Sequence, residues 1–463
     1  MAEQFDVVVI GGGPGGYAAA LYGAAAGLRV AIVEREKVGG TCLHRGCIPA
    51  KQFLETAHVF RTVAGAKEFG VVADQPNVDF PTAQDRKRKV VNQLWKGLQS
   101  LMKGRKITTI IGTGTLGPHR TVHVDDGTEL KGEKAVILAS GSVPRTLPGF
   151  DVDGKLVLTS DELLDVEKLP ASAAVIGGGA IGCEFASMMS DLGTQVTILE
   201  ALPKILPGCD KDVADVVVRS FKKRGIDVRT GVKIEGHEPS GEQTTVKLEG
   251  GDSVTVDAIV MSVGRRPLAE TLGLDGTAVK VDGKGFVEVD EHQRTAEDGV
   301  YAVGDLVNTP ALAHVGFAEA IVAIKDILGE KPIGVDYQKV PWCIYTFPEV
   351  AFAGLSEQAA RDAGYDVVVS KHRFAPNSRA LIVGETEGLV KVIAEKGPDG
   401  KAGRLLGVHM AGPWVTEQLA EAYLSVNWEA TPEEIGHFIH PHPTLSETFG
   451  ETVLSLTGRG LHG

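Results

Sequence analysis

The chain has 463 residues, enough for about three domains, and its 47 basic against 60 acidic side chains give a formal charge of −13. A phosphate-backbone binder carries a basic surplus, so a nucleic-acid partner is disfavoured, and 43% apolar with 23% charged residues excludes a disordered chain. Five cysteines are too few for a disulfide scaffold, and no apolar run approaches the ~18 residues of a membrane span.

No basic, apolar leader precedes the first strand, so a cytoplasmic chain with reduced thiols is expected. That strand, Phe5–Ile10, runs into Gly11-Gly-Gly-Pro-Gly-Gly16, then a small-residue helix at Tyr17–Ala26 and a strand at Arg29–Val33 that ends in Glu34. The three glycines Gly11, Gly13 and Gly16 fit a tight turn, a close approach to pyrophosphate and helix–strand packing. The helix start then faces the phosphates with free N–H groups, and Glu34 is placed to accept ribose hydroxyls.

Next stands Gly39-Gly-Thr-Cys42-Leu-His-Arg-Gly-Cys47-Ile-Pro-Ala-Lys51. Two cysteines with four residues between them admit coincidence, half a metal site or a redox disulfide. Spacing alone favours coincidence. A metal site wants a second pair, but Cys183, Cys209 and Cys343 are scattered, and no metal is expected. The dinucleotide context points to a redox pair. A disulfide would need a bent Leu43–Gly46 loop, and Pro49 suits the first turn of a helix through Lys51 to Ala57. Cys47 then lies at a helix start, where a thiolate is stabilised, with Cys42 as exchange partner.

Thr82–Met102 reads as a charged helix whose Arg86–Lys89 run is a solvated face. Ile107–Ile111, Val122–Asp125 and Lys134–Ala139 read as strands. A second glycine unit follows: Ala174-Val-Ile-Gly177-Gly-Gly179-Ala-Ile-Gly182, a helix at Cys183–Leu192, and a strand at Gln195–Leu199 ending in Glu200. Glu34 and Glu200 each lie 23 residues past their first glycine. A carboxylate there repels a 2′-phosphate, so Glu200 argues for NAD over NADP. Val254–Ser262, Phe286–Val289 and Val300–Ala302 read as further strands. Tyr301-Ala-Val-Gly-Asp305 ends a strand in an acid suited to a polyol, and Ala311-Leu312-Ala313-His314 leads into a helix. From about Pro341 the pattern turns β-rich, then helical at Val415–Val426. Near the end stands His437-Phe-Ile-His440-Pro-His442-Pro-Thr-Leu-Ser-Glu447. A bare His-x-His reads first as structural, with metal binding as a second option. Thiol exchange, however, gains from a histidine base, and Glu447 is in reach to orient His442.

These motifs, in this order, resemble the class I pyridine nucleotide–disulfide oxidoreductases, closest to the branch that oxidises dihydrolipoyl groups. The resemblance covers nearly the whole chain. It implies an α/β fold with two Rossmann-like dinucleotide-binding domains, for FAD (1–143) and NAD (144–265). A central segment (266–335) completes the FAD site, and a C-terminal α+β dimerisation domain spans 336–463. By the resemblance, Gly11, Gly13, Gly16, Glu34, Lys51, Gly114, Ser140, Gly141, Ser142, Asp305 and Ala311–His314 take FAD. Gly177, Gly179, Gly182, Glu184, Glu200 and Gly264 take NAD. The catalytic set is Cys42, Cys47, Lys51 paired with Glu184, and His442 with Glu447, the last two reaching the disulfide of the other subunit of a homodimer. The implied reaction reoxidises protein-bound dihydrolipoyl groups and reduces NAD⁺. The implied partners are the lipoyl domains and acyltransferase core of a 2-oxoacid dehydrogenase complex, or the lipoylated protein of glycine cleavage. His44-Arg45, Ala50, Leu268 and Val315-Gly-Phe317 depart from the family pattern. The alternatives are an NADH-dependent reductase of another small disulfide and a non-catalytic FAD-bound assembly subunit.

Overall fold

The computed structural model describes residues 2–462. The chain opens with β1 (Glu3–Ile10), α1 (Pro14–Ala25) and β2 (Val30–Glu34), then α2 (Gly40–His44), α3 (Cys47–Gly65) and α4 (Phe80–Gly104). Strands β3 (Thr108–Ile111), β4 (Gly114–Leu116), β5 (Thr121–Val124) and β6 (Glu129–Leu138) extend the first sheet, in the order β3-β2-β1-β6-β5-β4. β1 is flanked by parallel β2 and β6 and buried over Val7–Ile10. This is why it reads as an unbroken apolar run rather than an alternating one. On α4 the basic run is not wholly solvated. Lys87 is buried, and its Nζ donates to Leu164 O (2.7 Å) and Asp165 Oδ1 (2.5 Å). A long stem lets a lysine bury its carbons while its head finds oxygen partners.

The second unit starts with β7 (Ser142–Pro144), β8 (Val157–Leu158), α5 (Ser160–Leu163), β9 (Ser172–Ile176), α6 (Ala180–Asp191), β10 (Gln195–Glu200), α7 (Lys211–Lys223) and β11 (Asp227–Thr230). A three-stranded antiparallel layer follows, β12 (Ile234–Ser240), β13 (Gln243–Leu248) and β14 (Ser253–Val256), before β15 (Ala258–Met261). The parallel sheet runs β11-β10-β9-β15-β8. The strand expected over Val254–Ser262 is therefore two strands in two sheets. Asp257 marks the break: its Oδ2 accepts from Ser172 N at 2.8 Å and its own N–H donates to Ser172 Oγ at 3.0 Å. β16 (Arg265–Pro267) pairs antiparallel with β7 in a separate two-stranded ribbon.

β17 (Val300–Ala302) returns to the first sheet and pairs with the second half of β6, whose first half pairs with β5. Phe286–Val289 forms no strand; Val287 makes single bridges to Val281 and Val307. The Asp282 carboxylate caps the amides of Lys284 and Phe286 instead, holding a turn where a ladder was expected. α8 (Ala313–Ile327) packs on α1 through small residues: a Cβ on Gly316 would sit 3.4 Å from Gly15 N.

The last part holds β18 (Trp342–Ile344), β19 (Glu349–Gly354), α9 (Glu357–Asp362), β20 (Val367–Arg373), α10 (Ser378–Val383), β21 (Leu389–Lys396), β22 (Ala402–Gly412), α11 (Val415–Asn427), α12 (Pro432–Gly436) and α13 (Glu447–Ser455). Its antiparallel sheet runs β18-β19-β22-β21-β20. Leu419, Ala422, Phe449 and Val453 of α11 and α13 share a core with Val390, Val408 and Met410 of the sheet. Buried Lys391 reaches Asp210 (2.9 Å) and Asp212 (2.9 Å) at the start of α7 and Glu357 of α9 (2.8 Å). Beside it, His409 Nδ1 accepts from Asp210 N at 3.2 Å. Burial pushes the His409 imidazole down to about 4.

Candidate active site

Two glycine cradles are built alike. Gly11 (φ +104°) and Gly177 (φ +106°) turn where a Cβ would stand 2.2 Å from Ala139 O and 2.4 Å from Ser262 O. Only glycine meets both demands. A Cβ on Gly16 or Gly182 would stand 1.9 or 2.0 Å from the carbonyl oxygen of Gly11 or Gly177, so helix and strand touch there. Beyond Gly13 and Gly179, which cap α1 and α6, a Cβ would meet nothing within 4 Å. Each helix therefore offers uncapped N–H groups to open space, and this fits a dinucleotide pyrophosphate.

The acids close the same way in both cradles. Glu34 accepts from Gly12 N (2.6 Å) and Glu36 N (2.8 Å); Glu200 accepts from Gly178 N (2.5 Å) and Leu202 N (2.7 Å). A carboxylate has about four lone-pair sites, so each acid keeps capacity for ribose hydroxyls while the backbone fixes its aim. Both cradles thus fit their nucleotides.

Cys42 and Cys47 are joined in a disulfide, with Cα atoms 4.6 Å apart. One helical turn, α2, carries Cys42; the chain breaks at Arg45-Gly46, and α3 restarts with Cys47 as its first residue. Gly46 passes close to Thr41 O, where a Cβ would stand 3.2 Å away. His44 Nε2 donates to Val38 O (3.0 Å), and Arg45 pairs with Glu36 (3.0 Å). The residues between the cysteines are thus tied to the loop that follows Glu34.

One turn past Cys47 on α3, Lys51 donates to both oxygens of Glu184 on α6, at 2.9 and 2.7 Å. Glu184 Oε1 also accepts from Tyr345 N (2.9 Å), and Lys51 Nζ lies 4.9 Å over the Tyr345 ring. The buried carboxylate is therefore paired and fully engaged.

Asp305 follows Gly304 (φ +74°) after β17, and its Oδ2 accepts from Ser142 Oγ at 2.6 Å. Ser140 Oγ donates to Leu268 O (2.9 Å), and Gly141 (φ +71°) accepts from Leu268 N (3.0 Å). Gly114 lies against Ile10 and Val33, at the carboxyl ends of β1 and β2. Gly264 (φ +103°) accepts from Arg145 N (3.0 Å). Ala311 and Leu312 lead into α8, where His314 Nε2 donates to Pro341 O (2.8 Å).

His442 Nδ1 bonds Glu447 Oε1 at 2.8 Å, and Glu447 Oε2 accepts from Thr444 N at 2.7 Å. Burial raises the Glu447 carboxyl, but Thr444 and His442 outweigh it and hold it below the usual range. The His442 side chain is 70% exposed, and among the described residues no hydrogen bond or ion pair joins it to residues 42, 47 or 51 of its own chain. The neighbouring Phe438 and Ile439 are 70% and 95% exposed. His440 instead pairs with Glu421 at 2.8 Å, which raises its pKa.

Two residues escaped the sequence reading. Arg265 donates to Ser142 Oγ (2.6 Å) and Ser142 O (2.8 Å) and lies 3.5 Å from Asp305. Its signal was its place directly after Gly264. Glu319 of α8 is buried; it accepts from Gly304 N (2.6 Å), Thr309 Oγ1 (2.7 Å) and Tyr337 OH (3.0 Å). Burial pushes its carboxyl up to about 7. Its signal was an acid on an otherwise apolar helix face.

The pyridine nucleotide-disulphide oxidoreductase family model matches residues 5–320, and the dimerisation-domain model of that family matches 340–453. A Bacillus subtilis dihydrolipoyl dehydrogenase is 42% identical, covering 100% of each chain. One from Thermus scotoductus is 41% identical, covering 99% of each. The fold is shared with the crystal structure of LpdA from Mycobacterium tuberculosis, with a TM-score of 0.90, 24% identity, and 98% of this chain and 100% of that one covered. No described helix is long and apolar enough to cross a membrane.

Proposed function

The chain belongs to the pyridine nucleotide-disulphide oxidoreductase family, and on that premise we propose that it oxidises dihydrolipoyl groups with NAD⁺ through Cys42–Cys47. One observation carries this reading. The bonded sulfur pair opens α3, Lys51 follows one turn later, and its partner Glu184 rides on the helix that starts at the NAD cradle. A sulfur couple and a nicotinamide site are thus bridged by the Lys51–Glu184 ion pair.

FAD, held by the first cradle with Ser142 and Asp305, supplies when bound the two-electron carrier between sulfur and nicotinamide. The protein's own groups do the rest. The homodimer brings His442 of the partner subunit to the disulfide, and this histidine takes a proton from a dihydrolipoyl thiol. The substrate thiolate attacks Cys42, the Cys42–Cys47 bond breaks, and its electron pair stays on Cys47. The start of α3 stabilises that thiolate. The second substrate thiol displaces Cys42, which leaves as the second reduced sulfur, and lipoyl disulfide departs. Glu447, fixed by Thr444 N, keeps the imidazole oriented. Lys51 places a positive charge beside the redox pair, and Glu184 keeps that charge compensated. The partners in this reading are lipoyl domains around an acyltransferase core, or a glycine-cleavage lipoyl protein, in the cytoplasm.

The test is NADH oxidation by the FAD-loaded homodimer with lipoamide beside glutathione, for the wild type and Cys47→Ser. We expect turnover with lipoamide, little with glutathione, and loss of more than about 1,000-fold in the variant with flavin retained. Lipoamide turnover surviving in Cys47→Ser rejects the sulfur relay. Preference for glutathione replaces the substrate.

A further inference from the structure

On α6, Glu184, Ser187 and Asp191 stand at i, i+3 and i+7 and share one face. Glu184 and Ser187 are buried, the Asp191 side chain is largely covered, and each grips something outside the helix. Glu184 holds Lys51 and the Tyr345 amide. Ser187 Oγ accepts from Phe347 N (3.0 Å) and from Arg224 Nη1 (3.1 Å). The Asp191 side chain, 7% exposed, bridges Arg61 of α3 and Arg224 just past α7, the latter at 2.6 Å. Both guanidiniums lie over the Phe347 ring, with Cζ at 4.1 and 5.6 Å. Arg224 also donates to Phe347 O (2.9 Å) and Ser187 O (2.8 Å).

Asp191 touches neither the sulfur pair nor the glycine cradle. Through Arg61 it nevertheless pins α6 to α3 a second time, and through Arg224 it ties α6 to the end of α7. The first pin is Glu184–Lys51; the second lies seven residues along α6, about 10.5 Å by helical rise. One pin leaves two helices free to swivel about it. Two pins fix rotation and crossing angle together.

We propose that Asp191 is a positioning residue for electron transfer: held by Arg61 and Arg224, it sets α6 on α3 and so aims Glu184 at Lys51. This rests on the reading of Lys51 and Glu184 given above. The chemistry of the site is consistent with it. One carboxylate between two guanidiniums is strongly held, and an amide in its place leaves two partly buried cations without their ion-pair partner. A displacement of about 1 Å at a reacting centre costs up to about 100-fold in rate.

The experiment compares Asp191→Asn, Glu184→Gln and the double variant as FAD-loaded homodimers. It measures kcat, KM for dihydrolipoamide, FAD dissociation and thermal stability. We expect Asp191→Asn to lower kcat about tenfold while KM for dihydrolipoamide and FAD affinity hold steady. In the Glu184→Gln background the same change should cost less than about twofold, because residues that act through one another are not additive. Unchanged kcat with lowered thermal stability overturns the inference, as do fully additive losses or weakened FAD binding. If Glu184→Gln alone leaves kcat intact, the reading of Lys51 fails and the inference falls with it. Should Asp191→Asn yield no folded dimer, Arg61→Met keeps the Asp191–Arg224 pair. A several-fold kcat loss, suppressed by Glu184→Gln, is then expected, and an unaltered kcat overturns it.

Discussion

The two nucleotide cradles share their glycines, their torsions and their acid clamps, yet what stands behind them differs. The first is backed by apolar contact: α1 is rich in small residues and pressed on α8 so closely that a Cβ at Gly15 would stand 3.6 Å from Gly316 O. One buried acid, Glu319, straps the Asp305 loop to that same α8. The second adds charge to its apolar core: α6 buries Phe185, Met188 and Met189 and is also tied to its surroundings by Glu184, Ser187 and Asp191. Apolar packing is short-ranged and close-fitting, which suits a resident cofactor. Directed polar ties fix orientation between moving parts, which suits a site that a cosubstrate visits and leaves while it stays registered with the redox helix.

Breaking one cradle at a time tests this division. Gly11→Ala sets a Cβ against Ala139 O at positive φ. The purified chain should carry almost no flavin, read by visible absorbance per subunit. Gly177→Ala makes the same clash against Ser262 O. It should leave flavin content intact and reduce NAD-linked turnover by more than about 100-fold; loss of flavin there would erase the distinction. Glu319 sharpens it through pH. Burial raises its folded pKa to about 7 from 4.5. The folded chain therefore keeps a proton that the unfolded chain has released. That stabilisation is complete below about 4.5 and fades as pH climbs through about 7, a span on the order of 3 kcal/mol. Melting curves at pH 5 and pH 8 should diverge more in the wild type than in Glu319→Gln, and an equal divergence would count against the assignment. The smallest effect is expected at the second acid. Glu200→Ala should raise KM for NAD about tenfold, near 1.4 kcal/mol, with KM for dihydrolipoamide unmoved.

Much of this was legible in the sequence because the cradles are local. Strand, turn, helix and acid lie within about 25 residues, and each glycine answers a constraint from its near neighbours. The bonded pair Cys42–Cys47 and the pair His442–Glu447 are local for the same reason. Lys51–Glu184 was reached only through family resemblance, since 133 residues separate the two. What stayed hidden was polar contact across long separations. Arg61, Arg224 and Asp191 carry no motif, and nothing in their spacing shows that they meet on one phenyl ring. The split of Val254–Ser262 into two sheets was invisible for the same reason: Asp257 between two apolar stretches does not show that a distant serine, Ser172, will draw the chain aside.

The knot around Lys391 has its own consequence. Asp210, Asp212 and Glu357 all have carboxyls held below the ordinary range, with Lys391 prominent among the causes, and His409 stays neutral until about pH 4. Each of these contributions is present at neutral pH and vanishes as acid protonates the group. Acidification should therefore loosen the polar tie between α7 and the C-terminal sheet, leaving the apolar core that Val216 and Phe221 share with Phe352 and Leu389 to hold them together.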